Sequence, residues 1–129
     1  MGPVMGVCME VMDRPWQWGA ADCCTAACDV FLRLYGIDPM TPLRGRYSSR
    51  VGALRMIAQE GGWLKMTDSL AARSGLVHVP SEDPGNIGIV RTAEGDLALG
   101  ICVSPSVWVG KSERGLATVP KVLRIWRIA

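Results

Sequence analysis

Histidine, phenylalanine and charge are all scarce in this chain. Its 129 residues include one His and one Phe, and only 20% are Asp, Glu, Lys or Arg. With His78 as the one imidazole, a histidine-rich metal site is excluded and a single side chain is left for imidazole base chemistry. No apolar run approaches the roughly eighteen residues of a membrane span, so no transmembrane helix is expected. The 14 basic residues nearly balance the 12 acidic ones. They form no basic stripe of the kind that tracks a nucleic-acid backbone. Arg44, Arg46 and Arg50 come nearest, but they are mixed with Gly and Ser and read as a solvated turn. The segment from Met1 to Glu10 has neither the basic start nor the long apolar stretch of a signal peptide.

What is present is apolar. Hydrophobic residues make up 49% of the chain, the opposite of a disordered composition. The length suits one domain, residues 1–129, which on folding buries roughly two thirds of its surface around one core. Such sparse charge predicts apolar surface that a partner covers. Five tryptophans point the same way, because Trp is a favoured anchor at interfaces.

The cysteines are Cys8, Cys23, Cys24, Cys28 and Cys102. An odd count with two adjacent residues argues against a secreted disulfide framework and for reduced thiols. Cys-Cys-x-x-x-Cys lacks the knuckle spacing of zinc sites, so no metal and no cofactor is expected. Cys24 and Cys28, four apart, share a helix face and read as core filler.

Pattern and punctuation predict helices first and strands afterwards. Val4 to Met12 reads as a short helix stopped by Asp13-Arg14-Pro15. A second helix begins at Asp22 as N-cap, buries Ala27, Val30, Phe31 and Leu34, and ends at Gly36. Residues 37–47 form an ordered loop, and Ser48 or Ser49 caps a third helix closed by Gly61-Gly62. A short fourth helix is expected over 67–73. Beyond it, β-rich runs at 76–79, 87–91, 97–103, 107–109, 116–119 and 122–128 are separated by turn residues, with Glu94-Gly95-Asp96 as a hairpin. The class is α+β: N-terminal helices packed on a C-terminal antiparallel sheet or small barrel of about five to six strands.

The chemistry concentrates in Trp16-Gln17-Trp18-Gly19-Ala20-Ala21-Asp22-Cys23-Cys24. Cys23 directly follows the cap, where the helix dipole favours a thiolate, and so it is the candidate nucleophile. Trp16 and Trp18 alternate and share one face of an extended segment, as groove walls or core. Trp63, after two glycines, and Trp108, between Pro105 and Gly110, are the better interface candidates, while Trp126 is expected in the core. Arg44-Gly45-Arg46-Tyr47 reads as a loop staple bonding carboxylates or carbonyls.

Trp18-Gly19-x-x-Asp22-Cys23, followed by an apolar helix and Tyr35-Gly36-Ile37, resembles the nucleophile region of NlpC-type cell-wall peptidases. The likeness is closer to a family of peptidase-like tail-assembly proteins of phages and prophages. It runs through Arg14-Pro15-Trp16, Gly36-Ile37-Asp38-Pro39, Arg44-Gly45-Arg46-Tyr47, Ala98-Leu99-Gly100-Ile101-Cys102, Gly115-Leu116 and Trp126-Arg127-Ile128. The resemblance implies a papain-like fold and a place in the virion tail tip or baseplate, reached by folding and assembly in the host cytoplasm. The implied partners are other tail proteins, such as the baseplate hub and the distal tail protein. Two positions depart from the peptidase pattern: Ala98 stands where the catalytic His is expected, and Asn86 replaces an Asp. Without an imidazole, Cys23 has nothing to take its proton or to protonate a leaving amine. His78 lies some twenty residues too early in the chain to substitute without a rearranged sheet. The expectation is a structural tail component on a degenerate peptidase scaffold. The alternatives are a thiol endopeptidase or amidase that cleaves peptidoglycan stem peptides, taking its base from His78 or a neighbouring subunit, and a tail-assembly chaperone.

Overall fold

The structure is a computed structural model, and it describes residues 2–129. Helix α1 spans Pro3–Met12 and opens with proline at its first position, where the missing N–H costs no hydrogen bond. Helix α2, Cys23–Tyr35, begins at Asp22 and ends at Gly36, whose φ of 74° is the left-handed conformation of a helix stop. Helix α3, Arg50–Gln59, is capped by the Ser49 hydroxyl, which accepts from the Gly52 N–H. Helix α4 runs from Trp63 to Arg73, starting four residues before the expected boundary. Gly62, at φ 98°, turns the chain so that the helix begins at Trp63 itself. That tryptophan, expected on a partner surface, is half-buried and packs against the main core.

Six strands follow: β1 (Leu76–Val79), β2 (Ile87–Arg91), β3 (Leu97–Ser104), β4 (Val107–Ser112), β5 (Gly115–Val119) and β6 (Lys121–Ile128). They form one antiparallel sheet in the order β1-β6-β2-β3-β4-β5, open at β1 and β5, so the alternative of a closed barrel does not hold. The last strand runs back between β1 and β2, pairing Trp126 with His78 on one side and Ile87 on the other.

The sheet buries both faces, each with its own cluster. Alternation along β3 sends Leu97, Leu99 and Ile101 to the helices and Ala98 and Cys102 to the far side. The helical side forms the main core with Val30, Phe31, Met12, Met40, Leu43 and Met66, all nearly inaccessible. The far side collects Val90, Ala98, Cys102, Trp108 and Ile125. Here the Trp108 indole lies over Gly88: a Cβ at Gly88 would meet two ring atoms at 3.1 and 3.2 Å and the Arg124 carbonyl oxygen at 2.6 Å. Trp108, expected at an interface, is therefore an interior residue, 3% exposed, with its Nε1 donating to Glu82 at 2.7 Å. The absent side chain at Gly88 is what admits the large ring. Trp126 is buried on the helical side, as expected.

Lys111, on β4, is also interior. Its ammonium donates to the Met12 carbonyl at 2.9 Å and to the Arg14 carbonyl, satisfying acceptors that the end of α1 leaves open. Burial lowers its pKa, and Arg14 adds to the shift.

Candidate functional site

The site is the junction where the Trp16–Ala21 segment enters α2. Gln17 and Ala21 exchange backbone hydrogen bonds, closing a tight turn around Gly19. Gly19 sits at φ 86°, and a Cβ there would lie 2.2 Å from the Tyr47 carbonyl oxygen, so only glycine fits. The turn delivers Asp22 into the interior, 2% exposed, where five donors surround its carboxylate. Oδ1 accepts from the N–H groups of Cys24 and Thr25, both at 2.9 Å, and from the Thr25 hydroxyl at 3.1 Å. Oδ2 accepts from the Gly19 N–H at 2.8 Å and the Tyr47 hydroxyl at 2.6 Å. Thr25 returns the favour by accepting from the Asp22 N–H at 2.9 Å, which completes a capping box. The Tyr47 phenol is pushed to higher pKa by burial first and by Cys24 and Asp22 beside it. Asp22 is thus the N-cap the sequence predicted, and a structural hub besides. Tyr47 belongs to the Arg44–Tyr47 motif expected to bond carboxylates or carbonyls, and it does so through Asp22, a partner the loop sequence does not name.

Cys23 occupies the first position of α2 and is the one partly exposed thiol; Cys8, Cys24, Cys28 and Cys102 are buried, and all five are free. It packs between the two clusters, touching the one that contains Ala98. The polar partner of its sulfur is another thiol, Cys24 Sγ at 4.0 Å. Cys24 itself is held far toward the neutral form, first by its contact with Cys23 and then by burial. Asp22, Cys23 and Cys24 bring one oxygen and two sulfurs within 4.8 Å. The oxygens are already taken by five donors, so the trio makes a poor metal site.

No imidazole completes the arrangement. Ala98, at the position the resemblance assigns to the base, is 5% exposed within the far-side cluster. His78 is exposed on edge strand β1 and leans on Trp126, ring centroids 6.1 Å apart. Strand β1 lies three strands from β3, about 14 Å of sheet. Helix α2 packs on β3 and β4, so His78 stands at the wrong end of the sheet to serve Cys23. Asn86 is buried and spends its amide on the Ser81 carbonyl at 3.1 Å.

Trp16 and Trp18 meet edge to face with centroids 5.0 Å apart, consistent with side chains on one face. Trp18 packs on the main core. Trp16 lines an open groove of about 380 Å³ together with Arg14, Pro15, Gln17, Ala20 and Ala21. Cys23 is not among the residues lining that groove.

Arg44 anchors the loop that supplies Tyr47. Its guanidinium reaches Asp38 at 2.7 Å and Asp29 at 2.6 Å, while Arg14 holds the other Asp29 oxygen at 3.0 Å. The pair of carboxylates raises its pKa against the opposing effect of burial.

Fold and site together define an α+β domain with a half-exposed cysteine at the start of a central helix and a buried carboxylate beneath it. A family described as a domain of unknown function, DUF6950, matches residues 4–128, and the chain belongs to it. No curated protein and no solved structure matches the chain.

Proposed function

We propose that the chain is a structural component of a bacteriophage tail tip or baseplate, built on an NlpC-type, papain-like scaffold that has lost its catalysis. The observation that carries the reading is the company of Cys23. A nucleophile position at a helix N-terminus has a thiol as its polar neighbour and alanine at the base position. General acid–base help contributes typically about 10² to 10⁴ in rate, and a thiol without it makes a poor amide hydrolase. The tail context rests on the sequence resemblance and is supported by large apolar side chains left at the surface, such as Val51, Leu54 and Leu64, which a neighbouring tail protein would cover. The hub and distal tail proteins are the proposed neighbours, and the virion the proposed location. Quantitative mass spectrometry of purified phage particles carrying this gene tests the reading. The chain should be present at a fixed ratio to the other tail proteins. Its presence in assembly intermediates but absence from mature particles would make it a chaperone and overturn the proposal.

A further inference from the structure

The outward face of α3 is unlike that of an ordinary surface helix. Its inward side is thin: Ala53 and Met56 are buried and Ile57 is half-buried. On the solvent side, Leu54, Ala58 and Val51 fall within about 60° of one another around the helix axis. Val51 is 65% exposed and Leu54 53%. Arg50 and Arg55 border this arc on its two sides, each about 40° beyond it. Neither arginine joins an ion pair among the described residues, and α3 contains no Asp or Glu. The nearest acid in sequence, Glu60, is held by Arg46 at 3.5 Å.

We infer that this face docks an α-helical segment of another protein, one with an apolar ridge bordered by Asp or Glu. Val51 and Leu54 stand on either side of Ala58, whose small side chain leaves a recess for a knob from the partner. The two free guanidiniums then meet carboxylates at the polar rim, where charge sets orientation and association rate. A second copy of this chain fits less well, because a two-fold contact over α3 sets the same arginines of each copy against one another. An anionic membrane fits less well too, since the arc is narrow and has no aromatic residue to seat in the headgroup layer. The inference uses only α3 and does not rest on the tail-tip reading, although that reading counts the same Val51 and Leu54 among the surface a neighbour covers.

The test uses the full chain and two synthetic helical peptides with the same leucine ridge, one bordered by Glu and one by Lys. Binding is read by fluorescence anisotropy and mapped by amide NMR shifts. The Glu peptide should bind and perturb α3, more tightly than the Lys peptide and with salt weakening it. Leu54→Asp should reduce its affinity about tenfold or more, and Arg50→Glu with Arg55→Glu should reverse the preference between peptides, all at an unchanged melting temperature. Equal binding of the two peptides, or shifts mapped away from α3, overturns the inference. So does self-association of the chain that Leu54→Asp abolishes, or arginine-dependent binding to phosphatidylserine vesicles without binding to the Glu peptide.

Discussion

Asp22 shows how a single carboxylate can look catalytic and be structural. It stands next to a candidate nucleophile, yet Oδ1 caps the first turn of α2 and Oδ2 holds the turn around Gly19 and the loop that carries Tyr47. Asp22→Ala removes the helix cap, worth about 1 kcal/mol. It also strands the buried Tyr47 hydroxyl and Gly19 N–H, each costing about 1–3 kcal/mol. Denaturant unfolding should show a loss of about 3–7 kcal/mol for Asp22→Ala, against about 1 kcal/mol for Tyr47→Phe, which removes one donor. Ala98 makes the complementary point. Restoring the imidazole expected there, Ala98→His, forces a polar ring into a filled apolar cluster. It should destabilise the fold by about 1–3 kcal/mol without creating hydrolytic activity. A stable, active Ala98→His protein would mean that the site is still poised for catalysis. The Asp22 cap and the Cys23 position were legible because capping and dipole rules act within one turn of chain. The Tyr47 and Lys111 contacts were not, because they join residues 25 and 99 positions apart and no local pattern encodes them.

Among the elements, boundaries set by glycine and proline were the easiest to read and packing the hardest. Strands β1 and β2 fall on the expected residues, and α2 begins and ends at the expected caps. Helix α4 begins four residues before the boundary its sequence suggests, because two glycines before Trp63 look like a loop when only their flexibility is considered. The larger miss was Trp108. Between Pro105 and Gly110 it looks like an exposed edge residue, and nothing local reveals that Gly88, twenty positions earlier, clears space for its ring. The fit makes a sharp prediction for the β2–β6 neighbourhood. Gly88→Ala drives a methyl group into the indole and into the Arg124 carbonyl, so the pairing of β2 with β6 must shift. Thermal unfolding should show a loss of about 1–3 kcal/mol, accompanied by a change in tryptophan fluorescence as the ring leaves its apolar seat.

At the scale of the whole molecule, the apolar composition proved to serve two cores, one on each face of the sheet, as well as a surface. Thiols are part of both interiors, and this gives stability an alkaline limit. Burial raises Cys8 from 9.0 to about 12 and Cys102 from 9.0 to about 11, with Glu82 and Asp83 adding to the second, and Cys24 and Cys28 move the same way. A folded pKa above the unfolded one means that the native state holds its proton longer. The associated stability is complete below pH 9 and is lost as pH rises through the folded values. Lys111, shifted downward, acts in the opposite sense but as a single group. Melting temperature should therefore decline above pH 9, and less steeply in Cys8→Ala, where one of the raised thiols is gone.

The proposal that Cys23 is a nucleophile position without a base is tested most directly by peptide release from purified peptidoglycan. Wild-type protein and Cys23→Ala should both release no more than a buffer control. Release by the wild type that disappears in Cys23→Ala would contradict the account and make the chain an active thiol peptidase.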